Sequence, residues 1–224
     1  MRKFRRDSGI SLAEILVGMM IFGVLMIIVT SVMISLTNMS KDSLARARAI
    51  SEARTGVAQI DRQVRSGNVI LDPEFESVLT SGVPRFFSMR IYTQEDGLAK
   101  CAQWRVIDHN GDLFGDLEFR TWDPPFPTTT VTPWASVAHN LVAMDVTPVS
   151  ATDIIPSNPK TWPPFWVDDS SSGGTDAQFV KVTLRLKDPS EDPDSEPTAI
   201  STTVTGRNTV FNYPTNYCSV APDP

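Results

Sequence analysis

The sequence predicts an α+β fold in which one long N-terminal helix precedes an antiparallel β-sheet. Three observations support this prediction. No charged residue occurs between Ile15 and Ser40. Apolar residues between Leu44 and Val64 then recur at spacings of three, four and seven, which is typical of a helix with one apolar face. Beyond Asn68 apolar residues alternate with polar ones, which is typical of strands.

The uncharged run is long enough to cross a membrane. Its 26 residues correspond to about 39 Å of helix, and the hydrocarbon core of a bilayer is about 30 Å thick. Glu14 lies at the start of this run. A carboxylate at bilayer depth costs about 2.5–3.5 kcal/mol on insertion scales, so we expect Glu14 to have a partner. Basic residues precede the run and the acidic excess follows it, which predicts a cytoplasmic N-terminus.

The second half of the predicted helix is amphipathic. Its apolar stripe consists of Leu44, Ala47, Ile50, Val57, Ile60 and Val64. Ion pairs four residues apart are expected on its solvated faces, at Asp42–Arg46, Arg48–Glu52 and Asp61–Arg65. The helix is expected to stop at Ser66, with Gly67 in the left-handed conformation that often ends helices.

The remainder of the chain predicts strands separated by loops. The predicted strands are 87–91, 102–106, 117–121, Asn140–Val149, Phe179–Lys187 and Thr198–Thr205. Asn110-Gly111 is a strong hairpin-turn signal between the second and third of these strands. Such strands after a long helix predict an antiparallel sheet packed on the C-terminal half of that helix.

The segment RRDSGISLAEILVGMMIFGVLM resembles the N-terminus of the type IV pilin superfamily. It combines a basic leader, Gly9, the apolar Ile10 and Glu14 as the fifth residue counted from Ile10. The resemblance implies that a prepilin peptidase cuts after Gly9 and N-methylates Ile10. It also implies that Glu14 of one subunit pairs with the terminal amine of its neighbour and fixes the register of assembly.

The resemblance divides the chain into four parts. These are a leader (1–9), a transmembrane or filament-core helix (10–40), its amphipathic continuation (41–67) and an extracytoplasmic β-rich head (68–224). The leader carries a net charge of +3, so its removal changes the formal net charge from −6 to −9. An acidic mature chain has no general attraction for nucleic acid, and no direct nucleic-acid binding is expected.

The function implied by the resemblance is that of a structural filament subunit, a minor pilin or a pseudopilin. Thr202–Asn208 is similar to the end of larger minor pilins, in which a late strand leads into an Arg-Asn pair. The implied partners are prepilin peptidase, other pilins or pseudopilins, the assembly platform and the membrane. The implied location is a single-pass inner or cytoplasmic membrane protein with an extracytoplasmic head. After assembly it would lie in a type IV pilus or in a related secretion or DNA-uptake filament.

Three other interpretations of this N-terminus were considered. A secretory signal peptide fits poorly, because the apolar run exceeds the usual 7–15 residues and no small-residue cleavage site closes it. A plain membrane anchor would require neither Gly9 nor Glu14. The competing function is a single-pass anchored binding module or enzyme that does not assemble.

Catalysis and cofactors find little support in the sequence. His109 lies in the predicted hairpin turn and His139 near the start of a predicted strand, and both are expected to be solvated or packed. No nucleophile elbow, phosphate loop, His-x-x-x-His or Cys-x-x-Cys pair occurs, so no enzyme activity and no cofactor are expected. The acidic run Asp188–Pro197 is a weak candidate for a calcium site. Its spacing matches no EF-hand loop and its prolines indicate an extended connector.

Two features of the head leave alternatives open. Cys101 and Cys218 either form a disulfide in an oxidising compartment or are two small buried side chains. Segments 123–134 and 156–176 are rich in Pro, Ser, Thr and Gly, and tryptophans lie in or beside them. These aromatic side chains either form a contact patch for a partner subunit or fold the loops back onto the sheet.

Overall fold

The computed structural model describes residues 11–76, 83–125, 130–142, 150–167, 179–189, 191, 194–206 and 218. The chain divides into two compact units, Met1–Leu44 and Ala45–Pro224. The first part of helix α1 (Leu12–Ser66) belongs to one unit and the remainder to the other. The predicted α+β class, a long N-terminal helix with an antiparallel sheet, is confirmed.

The described part of the first unit is helical from Leu12 onward. Leucine, isoleucine, methionine and valine dominate this segment, and the helix passes through Gly18 and Gly23 without interruption. A Cβ atom at either glycine would meet no atom within 4 Å.

The second unit contains a curled antiparallel sheet of eight strands. Its elements after α1 are β1 (Gly67–Ile70), α2 (Pro73–Glu76), β2 (Ser88–Glu95), β3 (Leu98–Ile107), β4 (Phe114–Trp122), β5 (Ala135–Val142), β6 (Phe165–Trp166), β7 (Phe179–Leu186) and β8 (Thr198–Thr205). The strand order is β1-β2-β3-β4-β5-β7-β6, and β8 pairs with β7. Short 3-10 helices span Ala151–Asp153 and Pro159–Thr161.

Two hairpin connections organise the centre of the sheet. Asp96 and Gly97 join β2 to β3 and have φ angles of 52° and 80°, the left-handed pair that a two-residue turn requires. The hairpin between β3 and β4 is present, but a six-residue loop (108–113) joins the strands instead of a two-residue Asn110-Gly111 turn, and of these two residues Gly111 alone has a positive φ angle. The Asp108 side chain accepts hydrogen bonds from the backbone N–H groups of Asn110, Gly111 and Leu113 at 2.7–3.0 Å and thereby shapes this loop.

The C-terminal half of α1 packs on the sheet through small side chains. Its buried residues are Ala49, Ala53, Gly56, Ile60 and Val64, and they join a core that includes Met89, Trp104, Leu117 and Leu184. The predicted stripe was therefore wrong at its start, because Leu44 is 53% exposed and Ala47 is exposed. Small residues let the helix backbone approach the strands closely. A Cβ atom on Gly56 would lie 2.7 Å from Cδ2 of Leu117.

The end of α1 also differs from the prediction. The helix stops at Ser66 as expected, but Gly67 begins β1 and has no positive φ angle. A Cβ atom there would lie 2.6 Å from Cγ2 of Ile91 and 3.1 Å from two helix carbonyl oxygens. The glycine is needed for this close approach and not for a left-handed turn.

Of the three expected ion pairs on α1, the structure contains Asp61–Arg65, at 2.8 Å. Arg46 instead lies 3.8 Å from Glu191 of the acidic run. Glu52 accepts a hydrogen bond from the backbone N–H of His139 at 3.4 Å. Contacts to the sheet unit therefore replace two of the pairs expected within the helix.

Strand boundaries were predicted well at the end of the chain and poorly at β5. Strand β8 spans Thr198–Thr205 as expected, and β7 spans Phe179–Leu186 with Val180, Val182 and Leu184 fully buried. The strand expected at Asn140–Val149 begins earlier, at Ala135, and residues 143–149 lie outside the described part.

The face of the sheet opposite α1 is covered where it is formed by β2, β3 and β4. Arg90, Gln103, Arg105 and Arg120 on this face are each at most 5% exposed. The guanidinium groups of Arg105 and Arg120 both contact the Trp134 ring, with their Cζ atoms 3.8 and 4.2 Å from its centroid.

The aromatic side chains beside the loops are folded onto the sheet. Trp122, Phe165 and Trp166 are at most 4% exposed, and Lys181 Nζ lies 3.8 Å from the Trp162 ring centroid. Within the described residues this favours the folded-back interpretation over an exposed aromatic patch.

Candidate functional site

The first turn of α1 is closed by a reciprocal pair of hydrogen bonds. The Ser11 backbone N–H donates to Glu14 Oε2 at 3.0 Å, and the Glu14 backbone N–H donates to Ser11 Oγ at 3.3 Å. This arrangement is a capping box, which satisfies two backbone donors that a helix start otherwise leaves unpaired. Glu14 therefore has a structural role within its own chain, which the sequence analysis missed. The pattern Ser-x-x-Glu ahead of an apolar run was the signal for it.

The capping box uses one oxygen of the Glu14 carboxylate. Within the described residues, the contacts of the side chain involve Oε2 and not Oε1. A carboxylate accepts hydrogen bonds on both oxygens, so the second oxygen can accept a further donor without loss of the cap. Gly9 and Ile10, the residues expected at the cleavage position, lie outside the described part of the chain.

The helix surface beyond Glu14 is apolar on all sides. Twenty large apolar side chains between Leu12 and Leu44 are 50–79% exposed. Soluble monomers rarely expose contiguous apolar patches beyond a few hundred Å². A helix that is apolar all round is normally buried in protein or lipid. Among the described residues, α1 is the single helix long and apolar enough to cross a membrane.

Three hydroxyl groups inside this apolar segment donate hydrogen bonds to carbonyl oxygens of the helix itself. Thr30 donates to the carbonyl oxygen of Met26, Ser31 to that of Ile28 and Thr37 to that of Met33, each at 2.8 Å. An unpaired polar group in hydrocarbon costs several kcal/mol, and these bonds remove that penalty. The segment is therefore suited to an apolar surrounding, either acyl chains or other helices.

In the head the structure joins Cys101 and Cys218 in a disulfide, with their Cα atoms 5.8 Å apart. The cystine is buried in a small cluster with Tyr92 and Trp122. It closes an interval of 117 residues and links Cys218 to β3.

A buried ion pair lies next to this disulfide. Arg90 Nε lies 2.8 and 2.6 Å from the two carboxylate oxygens of Glu76, and Arg90 Nη1 donates to the carbonyl oxygen of Cys218. Burial raises the pKa of Glu76 above its ordinary value, and the Arg90 guanidinium opposes this shift. The pair anchors α2, β2 and the C-terminal segment to one another.

The acidic run considered for calcium is used in ion pairs where it is described. Glu191 lies 3.8 Å from Arg46, and Glu196 lies 3.0 Å from Lys160. The Arg207-Asn208 pair of the pilin-like ending lies outside the described residues.

Both histidines lie against carboxylates. His109 Nε2 is 2.8 Å from Glu118 Oε1, and His139 Nδ1 is 2.9 Å from Asp116 Oδ1. His139 belongs to β5 itself and not to its start.

Comparisons of this chain with protein-family models, with curated proteins and with solved structures gave no match.

Proposed function

We propose that this chain is a minor pilin or pseudopilin, a structural subunit that prepilin peptidase processes and an assembly machine builds into a filament. The observation that carries the proposal is the apolar helical surface of residues 12–40, which is exposed on all sides and has Glu14 as its one charged residue. Transfer of these side chains from water to apolar surroundings is favourable by on the order of tens of kcal/mol. The segment is therefore kept out of water at both stages, in the membrane before assembly and among neighbouring helices after it, and close packing between helices holds the filament core.

In the proposed mechanism, Glu14 fixes the axial position of each helix relative to its neighbour in the filament. Cleavage after Gly9 creates an α-amino group at Ile10, whose reference pKa of about 8 leaves it mostly cationic near neutrality. Pairing of this amine with Glu14 Oε1 of an adjacent subunit neutralises both charges in a medium of low dielectric constant, where the attraction is strong. A helix shifted along the filament axis would lose this pair.

The proposed location follows from the same features. The basic leader remains cytoplasmic, the apolar segment spans the membrane before assembly, and the head is extracytoplasmic. The buried disulfide supports an oxidising compartment for the head. The filament is a type IV pilus or a related secretion or DNA-uptake filament, and its other subunits and assembly platform are the partners.

A second candidate is a single-pass anchored binding module or enzyme that never assembles. The capping box favours it, because hydrogen bonding within its own first turn explains Glu14 without any neighbour. A plain anchor has no need of cleavage at Gly9, and this difference separates the two candidates.

The first experiment determines the mature N-terminus. Mass spectrometry of protein purified from the membrane of cells with prepilin peptidase should give a chain that starts at Ile10 and carries one N-methyl group. In cells from which the peptidase gene has been deleted, the purified chain should still carry residues 1–9. A chain that keeps its leader in both strains would overturn the proposal and leave the anchored module.

The second experiment separates charge pairing from helix capping. Glu14→Gln keeps a side chain able to cap the helix but removes the charge, whereas Ser11→Ala weakens the cap and keeps the charge. Filament incorporation, measured by immunoblot of sheared filaments, should be lost in Glu14→Gln and retained in Ser11→Ala. The opposite result, retention in Glu14→Gln and loss in Ser11→Ala, would show that Glu14 acts as a cap.

A further inference from the structure

The two histidines of the chain converge on two carboxylates of one strand. Asp116 and Glu118 are two residues apart on β4, and Leu117 between them points into the core with no exposed surface. Both carboxylates therefore lie on the opposite face of the strand. Register shifts beside Leu117 mark an irregularity of the β4–β5 pairing at this point, a feature that often re-aims side chains.

The histidines reach this face from different elements. His109 is carried by the β3–β4 loop, which the Asp108 carboxylate holds in place through three backbone hydrogen bonds. His139 is carried by β5. One ligand atom each from His109, Asp116 and Glu118 lie within 4.8 Å of one another.

We propose that His109, Asp116 and Glu118 bind a divalent transition-metal ion of the Zn²⁺ type, with His139 as a hydrogen-bonding neighbour that orients Asp116. The donor set of one imidazole and two carboxylates suits zinc, which accepts nitrogen and oxygen ligands and retains a water molecule at its fourth position. Calcium requires six to eight oxygen ligands and has little affinity for imidazole, so it does not fit this group.

The geometry around the proposed ligands supports metal binding. His109 Nε2 and Glu118 Oε1 lie 2.8 Å apart. Two ligand atoms of tetrahedral zinc are about 3.4 Å apart, so a small rotation of the half-exposed His109 ring makes room for the ion. Glu118 Oε2 is held by Arg105 at 2.8 Å, which fixes the carboxylate and leaves Oε1 for the metal.

The side chains also give the ion a path from solvent. The side chains of His109 and His139 are 47% and 54% exposed, and that of Asp116 is 32% exposed, whereas Glu118 forms the buried floor at 9%. A bound ion would connect the β3–β4 loop to the middle of β4. This site does not depend on the proposed filament function, because none of its residues belongs to α1.

The test is Zn²⁺ titration by calorimetry of the full-length, chelator-treated chain in detergent. The wild type should bind one ion per chain. His109→Gln and Asp116→Asn should each weaken binding by about 100-fold or more, and loss of the neighbour in His139→Gln should weaken it by about tenfold. The matched control is Glu196→Gln, which removes an 81% exposed carboxylate outside the group and should leave binding unchanged.

Three results would overturn the proposal. The first is the absence of one-to-one binding in the wild type. The second is equal affinity of the wild type, His109→Gln and Asp116→Asn for Zn²⁺, which would mean that the ion binds elsewhere. Because the His109 side chain is about half exposed, the tryptophan emission of His109→Gln should match that of the wild type and show that its head is folded. The third result is displacement of the bound Zn²⁺ by millimolar Ca²⁺, which would contradict the assignment of the site to a transition metal.

Discussion

Removal of the Cys101–Cys218 disulfide should be the largest single loss of stability in the head. The bond closes an interval of 117 residues. In the loop-entropy model a cross-link of this length lowers the free energy of the folded state relative to the unfolded state by about 5 kcal/mol. The double variant Cys101→Ala/Cys218→Ala avoids placing hydroxyl groups in the buried cluster around Tyr92 and Trp122. It should therefore lose about 5 kcal/mol of unfolding free energy.

Urea unfolding followed by tryptophan fluorescence measures this loss. All five tryptophans lie beyond residue 100, so the emission reports on the head and not on the apolar helix. The unfolding slope should also increase, because an unfolded chain without the cross-link exposes more surface. The matched control is the wild type after its disulfide has been reduced, and its unfolding free energy should approach that of the double variant. If the double variant and the oxidised wild type differ by less than about 1 kcal/mol, the chain-entropy argument is wrong for this protein.

Three further predictions follow from the head. Gly67→Ala should lower the unfolding free energy of the head by about 1–3 kcal/mol, because the added methyl group overlaps buried atoms. The matched control is Gly18→Ala, where the added Cβ meets no atom within 4 Å, and it should leave the urea midpoint of the head unchanged. Glu76→Gln should lower the unfolding free energy of the head by about 3–5 kcal/mol, because Arg90 is then a buried cation without the Glu76 carboxylate. Urea unfolding measures this loss, and an unchanged urea midpoint would contradict the prediction. For Asp108, desolvation is the largest single influence and raises the pKa, but the backbone hydrogen bonds that the carboxylate accepts from Gly111, Leu113, Asn110 and Asp112 together outweigh it, so the pKa is lowered. This carboxylate should therefore contribute stability above its ordinary pKa of about 3.9 that is lost as the pH falls through its lower folded pKa. Between about pH 5 and pH 3 the Tm of the wild type should fall more steeply than that of Asp108→Ala, and parallel Tm profiles would refute this.

The parts of the fold that depend on neighbouring residues in the chain were predictable. The apolar run from Ile15 to Ser40, the helix end at Ser66 and the strand Thr198–Thr205 all follow from local periodicity and composition. Asp96-Gly97 was an equally strong turn signal and was overlooked, although its two residues have the positive φ angles that such a turn requires. The capping box at Ser11 could likewise have been predicted from the Ser-x-x-Glu pattern.

Packing partners were not predictable in the same way. The helix face that packs on the sheet was predicted correctly at Ile60 and Val64, which are fully buried. It was wrong at its start, because hydrophobicity favoured Leu44 and Ala47 whereas close approach favoured Ala49, Ala53 and Gly56. Alternation along the strands does not show what lies on their polar side, where Trp134 packs against Arg105 and Arg120. Both outcomes depend on segments that are distant in sequence.

The sequence by itself determined the apolar N-terminal segment, its lone Glu14, the α+β class and the number of cysteines and histidines, since each of these is a property of composition or of short-range periodicity. Only the tertiary structure decided that Cys101 meets Cys218 and that His109 and Glu118 lie 2.8 Å apart. The physical reason is that these pairs are formed by strand order and loop folding. Pairing of strands brings residues into contact irrespective of their separation along the chain, and no local pattern records which residues will meet.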